Sequence, residues 1–191
     1  MNQQSDQLLI KQYLSGDKKS LEFLLARYLN RIYGFVSQFI KRTRDTEDVT
    51  QEVFIKVWKN LRKYDETKSF KAWIYMIARN TCIDYLRKKN DVLFSELKSE
   101  DDEEGAELDF AVDETPLPDA LFDKNNLPEL VTEALEKLPL KQRLVLQLYF
   151  QDGLTFQEIA EVSGESINTV KSRQLRGMSK LRNSLKLIEI R

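Results

Sequence analysis

The chain has 191 residues, 30 of them lysine or arginine and 31 aspartate or glutamate, with no histidine and a single cysteine. The usual general base and commonest metal ligand are therefore missing, and neither a Walker loop nor a dinucleotide fingerprint occurs, so no enzyme, cofactor or metal is expected. The opening Met1–Asp6 lacks a basic stretch followed by an apolar run, and no apolar segment is long enough to span a bilayer, so a cytoplasmic protein without membrane insertion is expected.

Six glycines and four prolines leave room for long helices and little for hairpins, which predicts an all-α fold. The near-neutral total is unevenly divided. Residues 1–90 hold 18 basic and 10 acidic residues, 91–128 hold two and 13, and 129–191 hold ten and eight, for net charges of +8, −11 and +2. Two helical domains, 1–90 and 129–191, are thus expected on either side of a flexible, self-repelling acidic linker, 91–128, which also holds Pro116, Pro118 and Pro128. Such asymmetry points to a polyanionic partner.

In chain order, Leu8, Leu9, Tyr13 and Leu14 predict a short helix, and Leu21, Leu24, Leu25, Tyr28, Leu29, Ile32, Val36, Phe39 and Ile40 a long one, joined at Ser15-Gly16-Asp17. A third helix is expected to start at Asp45-Thr46-Glu47-Asp48, whose carboxylates suit the positive end of the helix dipole. Val49, Val53, Val57 and Leu61 line one side of it, joined by Phe54 and Trp58, while Gln51 and Glu52 fall on the opposite face, which spacing alone reads as solvated. A polar loop, Tyr64 to Lys68, precedes a helix capped by Ser69. Its stripe of Phe70, Trp73, Ile74, Ile77, Ala78, Thr81, Cys82, Tyr85 and Leu86 reads as core, with Cys82 as a buried thiol. Off the stripe lie Lys71, Tyr75, Arg79, Asn80, Arg87, Lys88 and Lys89, a mixture of cations and aromatics suited to a strand of unstacked bases.

In the second domain Thr155-Phe156-Gln157-Glu158 has the form of a capping box flanked by Leu154 and Ile159, and Gly164 allows a sharp turn into a helix capped near Ser166. This is helix-turn-helix spacing, with Ala160 and Gly164 keeping the helices close and Ile159, Ile167 and Val170 facing inward. Outward are expected Lys171, Ser172, Arg173, Gln174, Arg176, Lys180 and Arg182, donors for phosphates and major-groove base edges.

Four stretches carry a family likeness: Asp48-Val49-Thr50-Gln51-Glu52-Val53-Phe54, Phe70-Lys71-Ala72-Trp73-Ile74-Tyr75-Met76-Ile77-Ala78-Arg79-Asn80, Leu138-Pro139 and Thr169-Val170-Lys171-Ser172-Arg173. Together they resemble bacterial RNA polymerase sigma factors of the extracytoplasmic-function (ECF) group within the sigma-70 family. The likeness omits only the linker. It implies a region 2 domain and a region 4 domain that bind core polymerase, read the promoter −10 and −35 elements and open DNA without catalysing a reaction. It further implies that Asp48, Gln51 and Glu52 contact the clamp helices of the largest subunit, replacing the solvated-face reading. The −10 strand would be met by Tyr64, Lys68, Ser69, Lys71, Tyr75, Arg79 and Asn80, the loop and Asn80 together holding one flipped base. The −35 element would be read by Lys171, Ser172, Arg173, Gln174, Arg176 and Lys180. Leu140 to Phe150, through Leu144, Leu146, Leu148 and Tyr149, would seat the second domain on the polymerase flap, and an anti-sigma factor would complete the partners.

Reading both elements sets the domains about 70 Å apart, at ~35 Å per duplex turn. A relaxed linker averages about 35 Å and an extended one reaches ~120 Å, so charge repulsion helps. Its acidity fits a mimic of a nucleic-acid backbone and a solvated tether equally well. The rival function is an ordinary repressor or activator that binds duplex DNA without polymerase. A pure protein adaptor would leave both basic faces unexplained.

Overall fold

The computed structural model describes residues 4–89 and 129–189, all helix, turn and loop with no strand among them. The expected linker lies outside the described residues. The chain divides into two compact units at residues 91 and 92.

The first unit runs α1 (Asp6–Leu14), α2 (Lys18–Phe39), α3 (Thr43–Asn60), a 3-10 turn (Leu61–Lys63) and α4 (Phe70–Lys89). Local chemistry sets these boundaries. Ser5 caps α1 by accepting from the Leu8 N–H at 3.2 Å, and Asp17 caps α2 by accepting from the Lys19 N–H at 3.1 Å. The third helix begins two residues earlier than the acidic cluster implied. The Thr46 hydroxyl turns back to the Ile40 carbonyl at 2.9 Å, and Asp45 is drawn to Lys89 of α4 at 2.8 Å. The Lys89 hydrogen bond holds the Asp45 carboxyl below the usual carboxylate range.

Helix α2 packs on α1, α3 and α4, and α3 packs on α4. Their shared core is Leu24, Tyr28, Ile32, Phe35 and Val36 from α2, Val49, Val53 and Val57 from α3, and Phe70, Ile74, Ala78, Cys82 and Leu86 from α4. Each fully buried aliphatic side chain contributes about 1.5–3 kcal/mol of transfer free energy. Cys82 is buried as expected, and desolvation pushes its thiol up to about 12. Trp58 departs from expectation: it is 51% exposed, and its indole N–H donates to the Tyr13 hydroxyl at 2.9 Å, bridging α3 to α1.

The second unit runs α5 (Glu129–Glu136), α6 (Leu140–Leu146), a π-helical turn (Gln147–Gln151), α7 (Phe156–Ser163) and α8 (Ile167–Glu189). All three shorter helices pack on α8. Ala134, Leu138, Leu146 and Leu181 form the centre, with Leu135, Phe150, Met178 and Leu185 around it. One glycine there has a packing role that the sequence reading did not assign. A Cβ on Gly177 would sit 3.2 Å from Leu146 Cδ1 and 3.4 Å from Gln142 Cβ, so glycine lets α8 lie close on α6. Gly164 works differently. Its φ of 71° is the left-handed conformation that ends α7, and a Cβ there would meet nothing within 4 Å, so the turn and not a close approach is what calls for glycine.

Candidate nucleic-acid and polymerase interfaces

On α3, Asp48, Gln51 and Glu52 are exposed while Val49 and Val53 are buried, as helical spacing requires. Glu52 is not a loose carboxylate: Lys56 pairs with it at 2.8 Å and also donates to the Thr81 hydroxyl of α4 at 3.2 Å. The same outward face continues into Ile55, an exposed apolar residue that the sequence reading passed over.

The loop before α4 is built by its own side chains. Asp65 accepts from the Thr67 N–H at 3.0 Å and the Thr67 hydroxyl at 2.7 Å, and the Lys68 N–H donates to the Asp65 carbonyl at 3.0 Å, closing a turn. The Thr67 hydrogen bonds hold the Asp65 carboxyl below its ordinary value. From outside, Lys11 of α1 pairs with the Glu66 carboxylate at 3.3 Å, and Gln7 donates to the Glu66 carbonyl at 3.4 Å. Ser69 caps α4 by accepting from the Ala72 N–H at 3.3 Å.

Two expected DNA contacts are corrected here. Tyr64 is buried: its ring packs against Phe70 at 5.5 Å and Trp73 at 5.2 Å, and its hydroxyl donates to the Lys68 carbonyl. It is the root of the loop and presents no ring face to a strand. Tyr75 is fully buried, edge-on to Phe35 at 5.1 Å, because it completes the stripe begun by Phe70 and continued by Ala78 and Cys82. Lys68 and Asn80 are exposed, and Ser69, Lys71 and Arg79 are half-buried.

Helix geometry also separates some of the expected partners. At about 100° per residue, Lys71 and Asn80 fall on opposite sides of α4, while Asn80 shares its side with Trp73, Met76 and Arg87. Phe70 and Asn80 lie ~15 Å apart along the axis, several times the ~3.4 Å per nucleotide of a stacked strand. The loop thus lies before the first turn of α4, and Asn80 about three turns along it.

In the second unit the capping box is complete: the Thr155 hydroxyl accepts from the Glu158 N–H at 3.2 Å, and the Glu158 carboxylate accepts from the Thr155 N–H at 2.8 Å. Leu154 and Ile159 are buried beside it. Ser166 caps α8 by accepting from the Thr169 N–H at 3.0 Å. On α8, Lys171 and Lys180 are exposed and Ser172, Gln174 and Arg176 half-buried. The Arg176 guanidinium donates to the Ser172 hydroxyl at 2.7 Å, which pre-sets its direction.

Two expectations on this helix are overturned. Arg173, expected to face outward, is 2% exposed and pairs with Glu165 in the turn. Ile167, expected inside, lies at the exposed start of α8. Leu175, not singled out from the sequence, is exposed between Lys171 and Arg176. In the segment expected to meet the flap, Leu146 and Leu148 are core, which leaves Leu144 and Tyr149 half-exposed. The Tyr149 ring stacks on Phe156 at 4.6 Å.

Comparison with known proteins bears on these surfaces. Residues 24–92 match Sigma-70 region 2 and residues 134–183 match Sigma-70, region 4. The chain is 30% identical over 187 residues to the ECF RNA polymerase sigma-E factor of Escherichia coli K12, covering 96% of this chain and 95% of that protein. It is 28% identical over 188 residues to the protein of the same name from Haemophilus influenzae, covering 96% of each. Among solved structures it resembles the sigma factor RpoE in complex with the anti-sigma factor NepR from Bartonella quintana, with TM-score 0.64, 24% identity and coverage of 88% of this chain and 98% of that one. It also resembles CnrH in complex with the cytosolic domain of CnrY, with TM-score 0.60, 23% identity and coverage of 95% and 97%. These last two likenesses concern the fold.

Proposed function

The chain belongs to the ECF sigma factors of the sigma-70 family, and from that premise we propose how its two units divide the work. It binds core RNA polymerase, directs it to promoters by reading −10 and −35 elements, and promotes DNA opening. It acts in the cytoplasm, and the chemistry of RNA synthesis belongs to the core enzyme.

The exposed acid and amide face of α3, Asp48, Gln51 and Glu52, docks on the clamp helices of the largest subunit, with Lys56 holding Glu52 in place. The loop after Tyr64, through Lys68, receives one unstacked base, and Asn80 addresses a second position further along the strand, where its amide offers both donor and acceptor. Lys71 and Arg79 supply phosphate contacts from the flanks of α4. Unstacking a base costs a few kcal/mol, so a site that offsets this only for the right base selects and melts in one step. In the second unit Lys171 and Arg176 read −35 base edges, Leu175 offers an apolar contact to a thymine methyl, and Ser172, Gln174 and Lys180 hold the backbone. Leu144 and Tyr149 face the flap. An anti-sigma factor, the class of partner that RpoE of Bartonella quintana binds, is the expected inhibitor.

The observation that carries this reading is the co-occurrence in one chain, in this order, of a region 2 match over 24–92 and a region 4 match over 134–183. Competition for core polymerase tests the docking step. Glu52→Lys should lose most of its ability to displace the parent while melting at the same temperature; a Gln51→Ala, Glu52→Ala double variant that competes as well as the parent would refute the assignment.

A further inference from the structure

Val170, Arg173, Gly177 and Leu181 recur along α8 at spacings of three, four and four, which places them on one face of the helix. Val170 and Leu181 are fully buried, and Gly177 is the point of close approach to Leu146. An arginine in such a stripe has left water almost completely, and a buried charge must be paired. Its partner is the carboxylate of Glu165, the residue directly after Gly164. Glu165 is itself fixed, since its N–H donates to the Ala160 carbonyl at the end of α7 at 3.1 Å. The pair therefore ties the second turn of α8 to the corner of the helix-turn-helix, on the side away from Lys171 and Leu175.

We propose that Arg173 touches no DNA and is a positioning residue: its ion pair with Glu165 locks the first two turns of α8 at the angle that presents Lys171 to a base edge, and so sets −35 selectivity. The proposal deepens the assignment of α8 as the −35 helix and rests on it. Gly177 is the natural pivot, because there α8 is pinned on α6 and further on Leu181 is seated in the core. From that pivot Lys171 lies ~9 Å away along the axis and Arg176 only ~1.5 Å. If the pair is lost, a tilt of ~10° moves the backbone at Lys171 by ~1.5 Å and the backbone at Arg176 much less, while hydrogen bonds tolerate only a few tenths of an ångström. The loss of selectivity should therefore be uneven along the element.

The sign of one substitution separates this from direct contact. Glu165→Gln removes a negative charge near DNA, which by charge alone would tighten binding to every sequence. Holoenzyme reconstituted from core polymerase and the full chain is measured against duplex promoters carrying every single −35 substitution, at several salt concentrations. Expected is a threefold to tenfold loss of discrimination at the base facing Lys171, a smaller one at the base facing Arg176, and an unchanged salt slope. The charge-reversed pair, Glu165→Arg with Arg173→Glu, should recover part of it. If Glu165→Gln tightens binding uniformly, or if Arg173→Met weakens all sequences alike and lowers the salt slope by about one, Arg173 is a phosphate contact and the proposal is overturned. Should Arg173→Met fail to fold, the near-isosteric Glu165→Gln carries the test alone. If Lys171→Ala and Arg176→Ala also leave the −35 ranking unchanged, the assignment of α8 as reader falls, and the proposal with it.

Discussion

Replacing Tyr64 with phenylalanine removes one oxygen from the root of the loop before α4, proposed above to meet the −10 strand, and leaves its ring in place. The hydroxyl donates to the Lys68 carbonyl, so it is the stitch across the loop, while the ring is held by Phe70 and Trp73. Lys68 is exposed, so water can satisfy its carbonyl afterwards, and the net loss should be about 1 kcal/mol. For a unit of this size that lowers the melting temperature by roughly 4–8 °C. Tyr64→Ala also empties the aromatic cluster and should cost about 3–5 kcal/mol. The phenol adds a pH signature. Burial, reinforced by Asp6, Asp65 and Glu66, pushes it up to about 12, so the folded state favours the protonated form. That stability is fully present below the ordinary phenol value of 10.0 and is lost as pH rises through about 12, a decline that Tyr64→Phe should reduce. Urea unfolding across this window and −10 base ranking of the holoenzyme are the assays. The variant should be slightly less stable and less selective at one −10 base. If Tyr64→Ala melts like the parent yet loses DNA opening, the ring faces the strand and its placement as the loop's root is wrong.

Arg176→Ala should relax selectivity at a single −35 base by about 1–3 kcal/mol, read by competition between promoter variants, because its guanidinium is already directed by Ser172. Asn80→Ala and Lys68→Ala should relax different −10 positions and combine additively, since Lys68 lies in the loop before α4 and Asn80 about three turns along the helix; permanganate reactivity of −10 thymines on duplex and premelted templates measures this, with the larger defect on duplex. Lys11→Glu should loosen the same −10 base as Lys68→Ala by about fivefold or less, as expected for an exposed ion pair worth about 0–1 kcal/mol, and Glu66→Lys should restore it.

Helical periodicity carried most of the fold because each unit is built from amphipathic helices whose stripes it reports directly. Phe70, Ile74, Ala78, Cys82 and Leu86 were legible as core, and Thr155, Gly164 and Ser166 as the punctuation of the helix-turn-helix. What failed was the assumption that a polar or amphipathic side chain stands outside the stripe. Tyr75 and Arg173 each lie at core spacing, and their residue types, which suit nucleic acid, concealed it. Counting Arg173 with Val170, Gly177 and Leu181 would have placed it inside, and an acidic residue at the turn, Glu165, was the available clue to its partner. The bracing of the loop by Gln7 and Lys11 was not legible, because they precede Glu66 by 59 and 55 residues and only tertiary packing joins them. This brace also lies ahead of the residues that match region 2, which begin at 24.

Transcription from sigma-free core polymerase tests the central claim most directly. With this chain added, core should initiate at discrete sites on genomic DNA, each preceded by two elements about two duplex turns apart, and Glu52→Lys should abolish the starts without unfolding the protein. Discrete DNA binding by the chain alone, as tight as with polymerase and without any specific start, would contradict the account and identify a conventional repressor or activator.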